Sequence, residues 1–238
     1  ALLLREESDS NVIVDNDLSW SGDGFFLSGQ RPYVEPSIGN LVARNDASHS
    51  YHNAFEATFS SWNTFLDNRA DSSDYGFWLG YSRGSAVRGN TILGSRTAAV
   101  AIEHGAENEI AGNTIIGGGT GIRLFAPRAE DEPSTSYRID DNVIARVGRG
   151  IVLEQTTRSR LRGNLFDGVQ DGLVVDSAGA DLELSGNVFL SAQRWLIDAV
   201  ALDAGGNFWG GKDPATVVRQ IRGQVTLTPF KSARDAGY

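Results

Sequence analysis

The sequence predicts an all-β protein, folded as a parallel β-helix solenoid of about nine coils with a small C-terminal cap. Three observations predict this fold. An asparagine recurs every 20 to 29 residues, apolar residues hold fixed positions around it, and a further short apolar strand follows in each repeat. Glycine is frequent, at 28 of 238 residues, and no segment keeps the apolar spacing of an amphipathic helix, so helix is the minority state.

The recurring asparagine marks the same bend in each predicted coil. An apolar residue lies three positions before each of the first eight asparagines and another lies two positions after, so short strands flank the bend. Asparagines stacked at one bend can form a hydrogen-bonded ladder that satisfies the backbone where the chain turns, which makes them structural residues. They are Asn16, Asn45, Asn68, Asn90, Asn113, Asn142, Asn164, Asn187 and Asn207.

A third strand completes each predicted coil. It opens with a small residue and then alternates, as in Gly24 to Leu27 and Gly76 to Leu79. The alternation places one column of side chains on the outer surface. Reactive groups are found only in its N-terminal half, since the last two residues of the column are valines. In coil order the column is Phe26, Glu56, Trp78, Ala101, Arg123, Val152 and Val174.

Two predicted coils are longer than the others by about seven residues. The additions, 29–39 and 127–136, are rich in turn formers, so we expect loops that leave the stack and return.

Ala1 to Leu4 matches the third-strand pattern. The chain therefore begins part-way round a coil, and we expect an upstream segment or a partner to cover that edge.

The chain divides into a long repeat region and a short tail. The parallel β-helix is predicted over 1–211 and the C-terminal capping segment over 212–238. Within the cap, the Asp-Pro pair at 213 predicts the start of a helix over 215–222, and a strand is predicted over 224–228.

The composition excludes several classes of function. A net charge of −9 and a pI near 4.8 argue against nucleic acid or an anionic membrane as partner, because either requires a basic face. No stretch approaches the roughly 20 apolar residues of a membrane helix. The chain has no cysteine, hence no disulfide, thiolate metal site or cysteine nucleophile, and Lys212 and Lys231 are its only lysines.

Three features of the sequence resemble those of a known superfamily. They are the asparagine bends, the strands that open with glycine, and the closing Asn207-Phe208-Trp209-Gly210. They resemble the right-handed parallel β-helix superfamily, whose repeats are shared by pectate-lyase-like enzymes, alginate epimerases and periplasmic copper-site maturation proteins. Asn53 to Ala57 and Ser73 to Gly80 look like segments of bacterial carbohydrate-active β-helix proteins. The resemblance, over 1–211, implies a long surface groove for a polysaccharide and an extracellular or periplasmic location, although the fold also hosts tailspikes, adhesins and accessory proteins.

The candidate site lies on the four or five N-terminal coils, where the outward column and its flanks concentrate carboxylates, aromatic rings, an arginine and all three histidines. The spacings of coils and residues give this patch a span of roughly 20 Å, the reach of several sugar rings. The catalytic candidates are Glu56, Asp23, Asp74 and Glu103. The substrate-binding candidates are Trp78, Tyr75, Tyr81, His49, His52, His104 and Arg123.

The favoured function is that of a glycoside hydrolase with two carboxylates flanking the scissile bond, which needs no metal and no cofactor. Glu56 is the first choice for the acid, because Phe26 and Trp78 would partly desolvate it and raise its pKa. Strand spacings place the backbones of Asp23 and Glu103 about 11 and 12 Å from that of Glu56. Side chains that lean inward would shorten either distance to the inverting range.

Each of these residues also has a simpler interpretation. Trp78 can cover the base of the 29–39 loop, and Glu56 can be an ordinary solvated charge. Asp23 can be a turn residue, and Arg123 can pair with Glu103 in a surface salt bridge.

Two other functions stay open at this point. A polysaccharide lyase or epimerase needs a base and cations, which His49, His52, His104 and Arg123 could supply in a body without lysine. His49 and His52 also have the spacing of a weak metal pair, but no third ligand lies near them in sequence. A non-catalytic glycan-binding or structural β-helix is the third function, and it would be favoured if Glu56 and a second carboxylate did not share a concave site.

Overall fold

The structure of the chain, a computed structural model, describes residues 1–29, 35–128, 133–176 and 181–231. Within these ranges the chain winds as a parallel β-solenoid of about nine coils, which confirms the predicted fold class. The predicted loops and the predicted cap lie partly outside the described residues. In this part of the chain no helix has the length and apolarity that a membrane span requires.

Short strands follow one another along the chain, and each pairs in parallel with strands from neighbouring coils. A single short helix occurs in the ranges given above. In chain order the elements are β1 Leu2–Arg5, β2 Val12–Val14, β3 Phe25–Ser28, β4 Leu41–Ala43, β5 Asn53–Thr58, β6 Thr64–Leu66, β7 Arg69–Asp71, β8 Tyr75–Gly80, β9 Ala86–Arg88, β10 Thr91–Glu103, β11 Glu109–Ala111, β12 Thr114–Phe125, β13 Ser134–Thr135, β14 Arg138–Asp140, β15 Val143–Glu154, β16 Thr156–Thr157, β17 Arg160–Arg162, β18 Leu165–Asp167, β19 Val169–Val175, β20 Glu183–Ser185, β21 Val188–Phe189, β22 Ala192–Asp203, β23 Phe208–Trp209, α1 Pro214–Arg219 and β24 Ile221–Thr226.

Two large sheets form the faces of the stack. The smaller has the order β2-β4-β6-β9-β11-β14-β17-β20, and the larger begins β1-β3-β5-β8-β10-β12-β15. In some coils the second and third predicted strands form one continuous strand. For example, β10 pairs with β7 through Thr91 to Leu93 and with β8 through Ala98 to Glu103. The larger sheet therefore includes two of the three faces that the repeat predicted.

The C-terminal elements differ in their bounds from the prediction. The helix covers Pro214–Arg219 rather than 215–222, and the Asp213 carboxylate caps it by accepting a hydrogen bond of 3.0 Å from the Thr216 N–H. The strand β24 covers Ile221–Thr226 rather than 224–228 and pairs in parallel with β22. The tail thus adds a strand to the larger sheet.

The predicted asparagine ladder runs through the stack from Asn16 to Asn207. Each side-chain amide donates to the Oδ1 of the asparagine in the next coil, as Asn90 does to Asn113 at 2.9 Å. The same Oδ1 accepts the backbone N–H of Asn90, also at 2.9 Å. Every asparagine of the ladder beyond Asn16 is buried, so these bonds replace water at the bend.

A second ladder, which the sequence search missed, lies five residues before the first. The Asn11 amide donates to Asn40, and the Asn40 amide donates to Asn63, each at 3.0 Å. The ladder continues through Ser85, whose N–H donates to Asn108 Oδ1 at 2.8 Å. The residue at this position changes between asparagine and serine along the stack, which makes the repeat hard to recognise in the sequence. Its constant offset from the first ladder could have revealed it.

Inward side chains from successive coils stack on one another in the core. The rings of Phe55 and Phe77 stack with their centroids 4.8 Å apart, and Phe189 stacks between Phe166 and Trp209 with centroids 4.5 Å from each. All five side chains are fully or almost fully buried. Since each coil covers the next, the core is a property of the stack rather than of any coil.

A pair of aspartate substitutions tests the inward and outward register. Ile110 is completely buried in the core, whereas Val174 belongs to the outward column and is half-buried. We expect Ile110→Asp to unfold the chain or to lower its unfolding free energy by several kcal/mol, because it buries an unpaired charge. Val174→Asp should have a much smaller effect in the same urea titration, and equal destabilisation by the two would contradict the register.

Candidate functional site

The outward column that the sequence predicts exists in the structure. Strand pairing places Phe26 beside Glu56, Glu56 beside Trp78, Trp78 beside Ala101, and Ala101 beside Arg123. Because parallel strands in register bring equivalent positions side by side, residues more than 20 positions apart in sequence become neighbours. The N-terminal half of the column therefore presents one continuous strip of side chains.

Asp23, His52 and Glu56 form the polar centre of this strip, which we call the carboxylate–histidine group. One ligand atom from each residue lies within 4.8 Å of the others. The bend before β3 supplies Asp23, the bend before β5 supplies His52, and β5 itself supplies Glu56. His52 Nδ1 lies 3.3 Å from Asp23 Oδ1, so a protonated imidazole forms an ion pair with this carboxylate.

Asn53 holds the two carboxylates of this group in place. Its backbone N–H donates to Asp23 Oδ1 at 3.0 Å, and its side-chain amide donates to Glu56 Oε2 at 2.5 Å. Asn53 is buried, so it is a fixed support between the two acids. The sequence analysis did not select Asn53, although its place directly before the third strand, level with Asp23, was a usable signal.

Glu56 is half-buried, and burial raises its pKa above the ordinary glutamic acid range. The hydrogen bond from Asn53 acts in the opposite direction, the negative charge of Asp23 adds to the increase, and His52 lowers the pKa. The net direction is upward. Glu56 thus keeps its proton to a higher pH than a solvated glutamate, as the sequence analysis expects of a general acid.

An aromatic platform, defined as Tyr75, Trp78 and Phe125, lies beside the carboxylate–histidine group. The Tyr75 and Trp78 rings meet edge to face with centroids 4.9 Å apart, and Trp78 and Phe125 do so at 5.9 Å. Tyr75 and Trp78 are partly exposed and pack on a small apolar cluster with buried Ala98 and Ala101 beneath them. The small side chains leave room above the sheet for the rings to lie close to its surface.

Folding brings the carboxyl groups of Asp23 and Glu56 together from two different coils. Their nearest oxygens lie within 4.8 Å of each other. The backbones are farther apart, but the Asp23 side chain extends from its bend toward β5, where the Asn53 N–H holds it.

Four predicted site residues lie away from this centre. His49 stacks on Trp20 with ring centroids 4.3 Å apart, and Asp74 accepts a 2.6 Å hydrogen bond from Arg96 Nε. Tyr81 stacks on His104 at 4.9 Å, and both lie where the strands end rather than where they begin. Tyr81 lies six positions after Tyr75, or about 20 Å along an extended strand.

Arg123 does not form the alternative salt bridge with Glu103 that the sequence leaves open. Arg123 instead donates to Glu154 Oε2 through Nε at 3.0 Å and through Nη2 at 2.7 Å. Its guanidinium also lies over the Phe125 ring, 4.3 Å from the centroid. Glu103 pairs with Phe125 in the adjacent strand, whereas Arg123 pairs with Ala101, which explains why Glu103 and Arg123 do not meet.

The alternative role of Trp78, as a cover for the base of the 29–39 loop, falls partly outside the described residues. Within them, Trp78 packs against Tyr75 and Phe125. His49 does not belong to the carboxylate–histidine group, so the structure separates the two histidines that have metal-pair spacing in the sequence.

Several solved structures have a fold similar to that of this chain, among them the following three. The Agl-KA catalytic domain is 12% identical, with a TM-score of 0.46, over 88% of this chain and 45% of that one. The GH136 lacto-N-biosidase from Eubacterium ramulus is 10% identical, with a TM-score of 0.37, over 94% and 51%. QnrB1, a plasmid-mediated fluoroquinolone resistance protein, is 12% identical, with a TM-score of 0.30, over 93% of each chain.

The chain spans about half the length of the first two of these proteins. All three TM-scores are low, so these likenesses carry no argument about the activity of this chain. A comparison with curated protein sequences found no match.

Sequence-family comparison gives a match over most of the chain. The matching family model is described as periplasmic copper-binding protein (NosD), and it covers residues 2–218. This range contains the coils, both ladders and the carboxylate–histidine group. The chain therefore belongs to the NosD family of right-handed parallel β-helix proteins.

Proposed function

We propose that this chain binds a polysaccharide along the outward strip and hydrolyses it with Asp23 and Glu56. The observation that carries the proposal is the pairing of a half-buried carboxyl group of raised pKa with a second carboxylate, one oxygen of each lying within 4.8 Å of the other, beside partly exposed aromatic rings. Glycoside hydrolysis requires two carboxyl groups in different environments, and aromatic rings bind the apolar faces of sugars.

Glu56 is the general acid in this proposal. Its raised pKa keeps the proton that the leaving glycosidic oxygen must receive. Asn53 donates to one of its oxygens, so the other oxygen is the one that carries and delivers the proton. Trp78, directly beside Glu56 in the sheet, binds the sugar whose bond is cleaved.

Asp23 is the second carboxylate, and we assign it as a nucleophile rather than as a base acting through water because one of its oxygens lies within 4.8 Å of a Glu56 oxygen. Its oxygen attacks the anomeric carbon while Glu56 protonates the departing oxygen, and a glycosyl ester forms. Water then cleaves the ester as Glu56 takes back a proton. This proposal replaces the expectation of inversion with retention of configuration.

The lyase alternative has less support from the geometry. A lyase must neutralise a uronate carboxylate with cations, and Arg123 already binds Glu154 and lies over Phe125. His52, the histidine nearest the strip, faces two carboxylates rather than an open cationic pocket.

Divalent metal binding by the carboxylate–histidine group is a second candidate function. One imidazole and two carboxylates within 4.8 Å form a donor set that could hold a metal ion, and the NosD family model is described as copper-binding. Cu(I) prefers soft sulfur ligands, but the sequence contains no cysteine and no methionine. The donor set fits Cu(II) or Zn(II), and a bound ion would occupy both carboxylates and thereby exclude the hydrolase mechanism.

Glu56→Gln tests the catalytic assignment. We expect it to lower the hydrolysis of a responsive polysaccharide by about 10²-fold or more, because it removes the proton donor but keeps the shape of the side chain. Glu103→Gln, a carboxylate on the same sheet outside the carboxylate–histidine group, is the matched control and should retain activity. The measurement is digestion of a polysaccharide panel with analysis of product ends and of anomeric configuration. Full activity of Glu56→Gln would show that Glu56 is not the acid.

The raised pKa of Glu56 also predicts how stability depends on pH. The folded state binds this proton more tightly than the unfolded state, so the associated stability is present at low pH and is lost as pH rises through the folded pKa. Gln cannot ionise, so Glu56→Gln should be more stable than wild type near pH 8, and the difference should shrink near pH 4. Urea titrations at both pH values measure it. A constant difference would mean that burial does not perturb Glu56.

Metal titration separates the second candidate function from the first. If the carboxylate–histidine group binds Cu(II) or Zn(II), His52→Ala should abolish the calorimetric binding signal, because it removes the nitrogen ligand. His49→Ala is the matched control and should retain binding, since His49 packs on Trp20 instead. Equal binding by both variants would place the metal elsewhere, and no binding by wild type would eliminate this candidate.

A further inference from the structure

A cleft lies beside the carboxylate–histidine group, on the bends that precede β3, β5, β8 and the second half of β10. Its volume is about 410 Å³. The residues that line it are Trp20, His49, Ser50, Tyr51, Ser72, Asp74 and Arg96. The proposed hydrolysis uses none of them, and the sequence analysis selected only His49 and Asp74, without placing them in a separate cleft.

The aromatic wall of this cleft is exposed and held in position. Trp20 is 78% exposed and Tyr51 is 82% exposed, the two largest exposures among the large hydrophobic residues that the structure describes. The Trp20 ring lies nearly parallel to the His49 ring, which supports one face and leaves the other to solvent. The backbone N–H of Trp20 donates to the carbonyl oxygen of Ser48 at 3.0 Å, and the backbone N–H of His49 donates to that of Asp71 at 2.6 Å. Both bends are therefore hydrogen-bonded to neighbouring coils.

The polar wall of the cleft is equally well fixed. Arg96 donates to Asp74 Oδ1 at 2.6 Å, to Ser72 O at 2.9 Å and to Tyr51 O at 2.7 Å. These three hydrogen bonds join three successive coils through one guanidinium. An open aromatic face opposite a fixed carboxylate and guanidinium is suited to a sugar, which has an apolar face and a rim of hydroxyl groups.

The cleft is continuous with the carboxylate–histidine group. Tyr51 directly precedes His52, and the Asp74 N–H donates to His52 O at 2.9 Å. Tyr51 lies five positions before Glu56, a path of at most about 16 Å along the backbone. That distance exceeds one sugar ring, so a single monosaccharide cannot contact both places, whereas an extended glycan chain can.

We propose that the Trp20–His49–Tyr51 cleft is a sugar-binding subsite that holds a polysaccharide chain several sugar residues away from Glu56. The inference rests on the proposed function for the identity of the chain that passes over Glu56. It adds a requirement for length: long glycans contact both the cleft and Glu56, and short ones contact only one of them.

Affinity electrophoresis tests the subsite in gels that contain starch, xylan, mixed-linkage β-glucan or polygalacturonate. Trp20→Ala should weaken the binding of a retarding polysaccharide by about tenfold or more, because stacking area is lost. Trp62→Ala is the matched control, since Trp62 is 58% exposed, lies on another bend outside the cleft, and should leave retardation unchanged. Trp20→Tyr, which keeps an aromatic ring, should restore most of the binding, and thermal melting of each variant verifies its fold.

A second measurement uses oligosaccharides of the retarding polysaccharide in the Glu56→Gln background, where turnover cannot interfere. Trp20→Ala should weaken hexasaccharide binding about tenfold and reduce the affinity advantage of the hexasaccharide over the disaccharide, because a disaccharide can contact the cleft or Glu56 but not both. Equal losses for both lengths would contradict a remote subsite.

The outcomes for the subsite and for the proposed hydrolysis are distinct. If wild type cleaves a polysaccharide and Trp20→Ala behaves as wild type, the subsite is wrong and the hydrolysis stands. If no polysaccharide is cleaved but retardation depends on Trp20, the hydrolysis is wrong and the subsite stands. If wild type is retarded in no gel and cleaves nothing, both proposals are wrong.

Discussion

The asparagine hydrogen bonds at the bends are the interaction on which the rest of this structure depends. Each one links a side-chain amide to the asparagine of the next coil, and the accepting oxygen also takes a backbone N–H. This arrangement satisfies buried polar groups that would otherwise destabilise a closely packed turn. It also fixes the register, because a coil that slipped by one residue would lose these bonds and turn its apolar side chains outward.

The site follows from that register. Asp23 and Glu56 belong to different coils, and they approach each other because parallel pairing places their bends and strands side by side. Two carboxylates at this distance repel each other, and the structure offsets the repulsion with the hydrogen bonds from Asn53 and with the His52 imidazole. Burial beside the aromatic platform raises the pKa of Glu56.

Family membership and local chemistry address different aspects of function. The NosD family shows the fold and the repeat, and a β-helix hosts many activities because its outward columns vary without disturbing the core. The carboxylate–histidine group suits either proton transfer or a divalent ion, as imidazole and carboxylate side chains serve both. What supports the glycan proposal over an ion is the surrounding surface, which includes the partly exposed Trp78 ring and the exposed Trp20 ring.

The sequence alone determined the repeat, the fold class, the first asparagine ladder and the outward column, because these depend on periodicity along one chain. It also selected Asp23, His52 and Glu56 as members of a site. Only the tertiary structure decided which candidates meet: Asp74 pairs with Arg96, Arg123 pairs with Glu154, and Asp23 approaches Glu56 closely. The physical reason is that strand spacings fix backbone positions, whereas the direction of a side chain depends on the hydrogen-bond partners that folding brings within its reach.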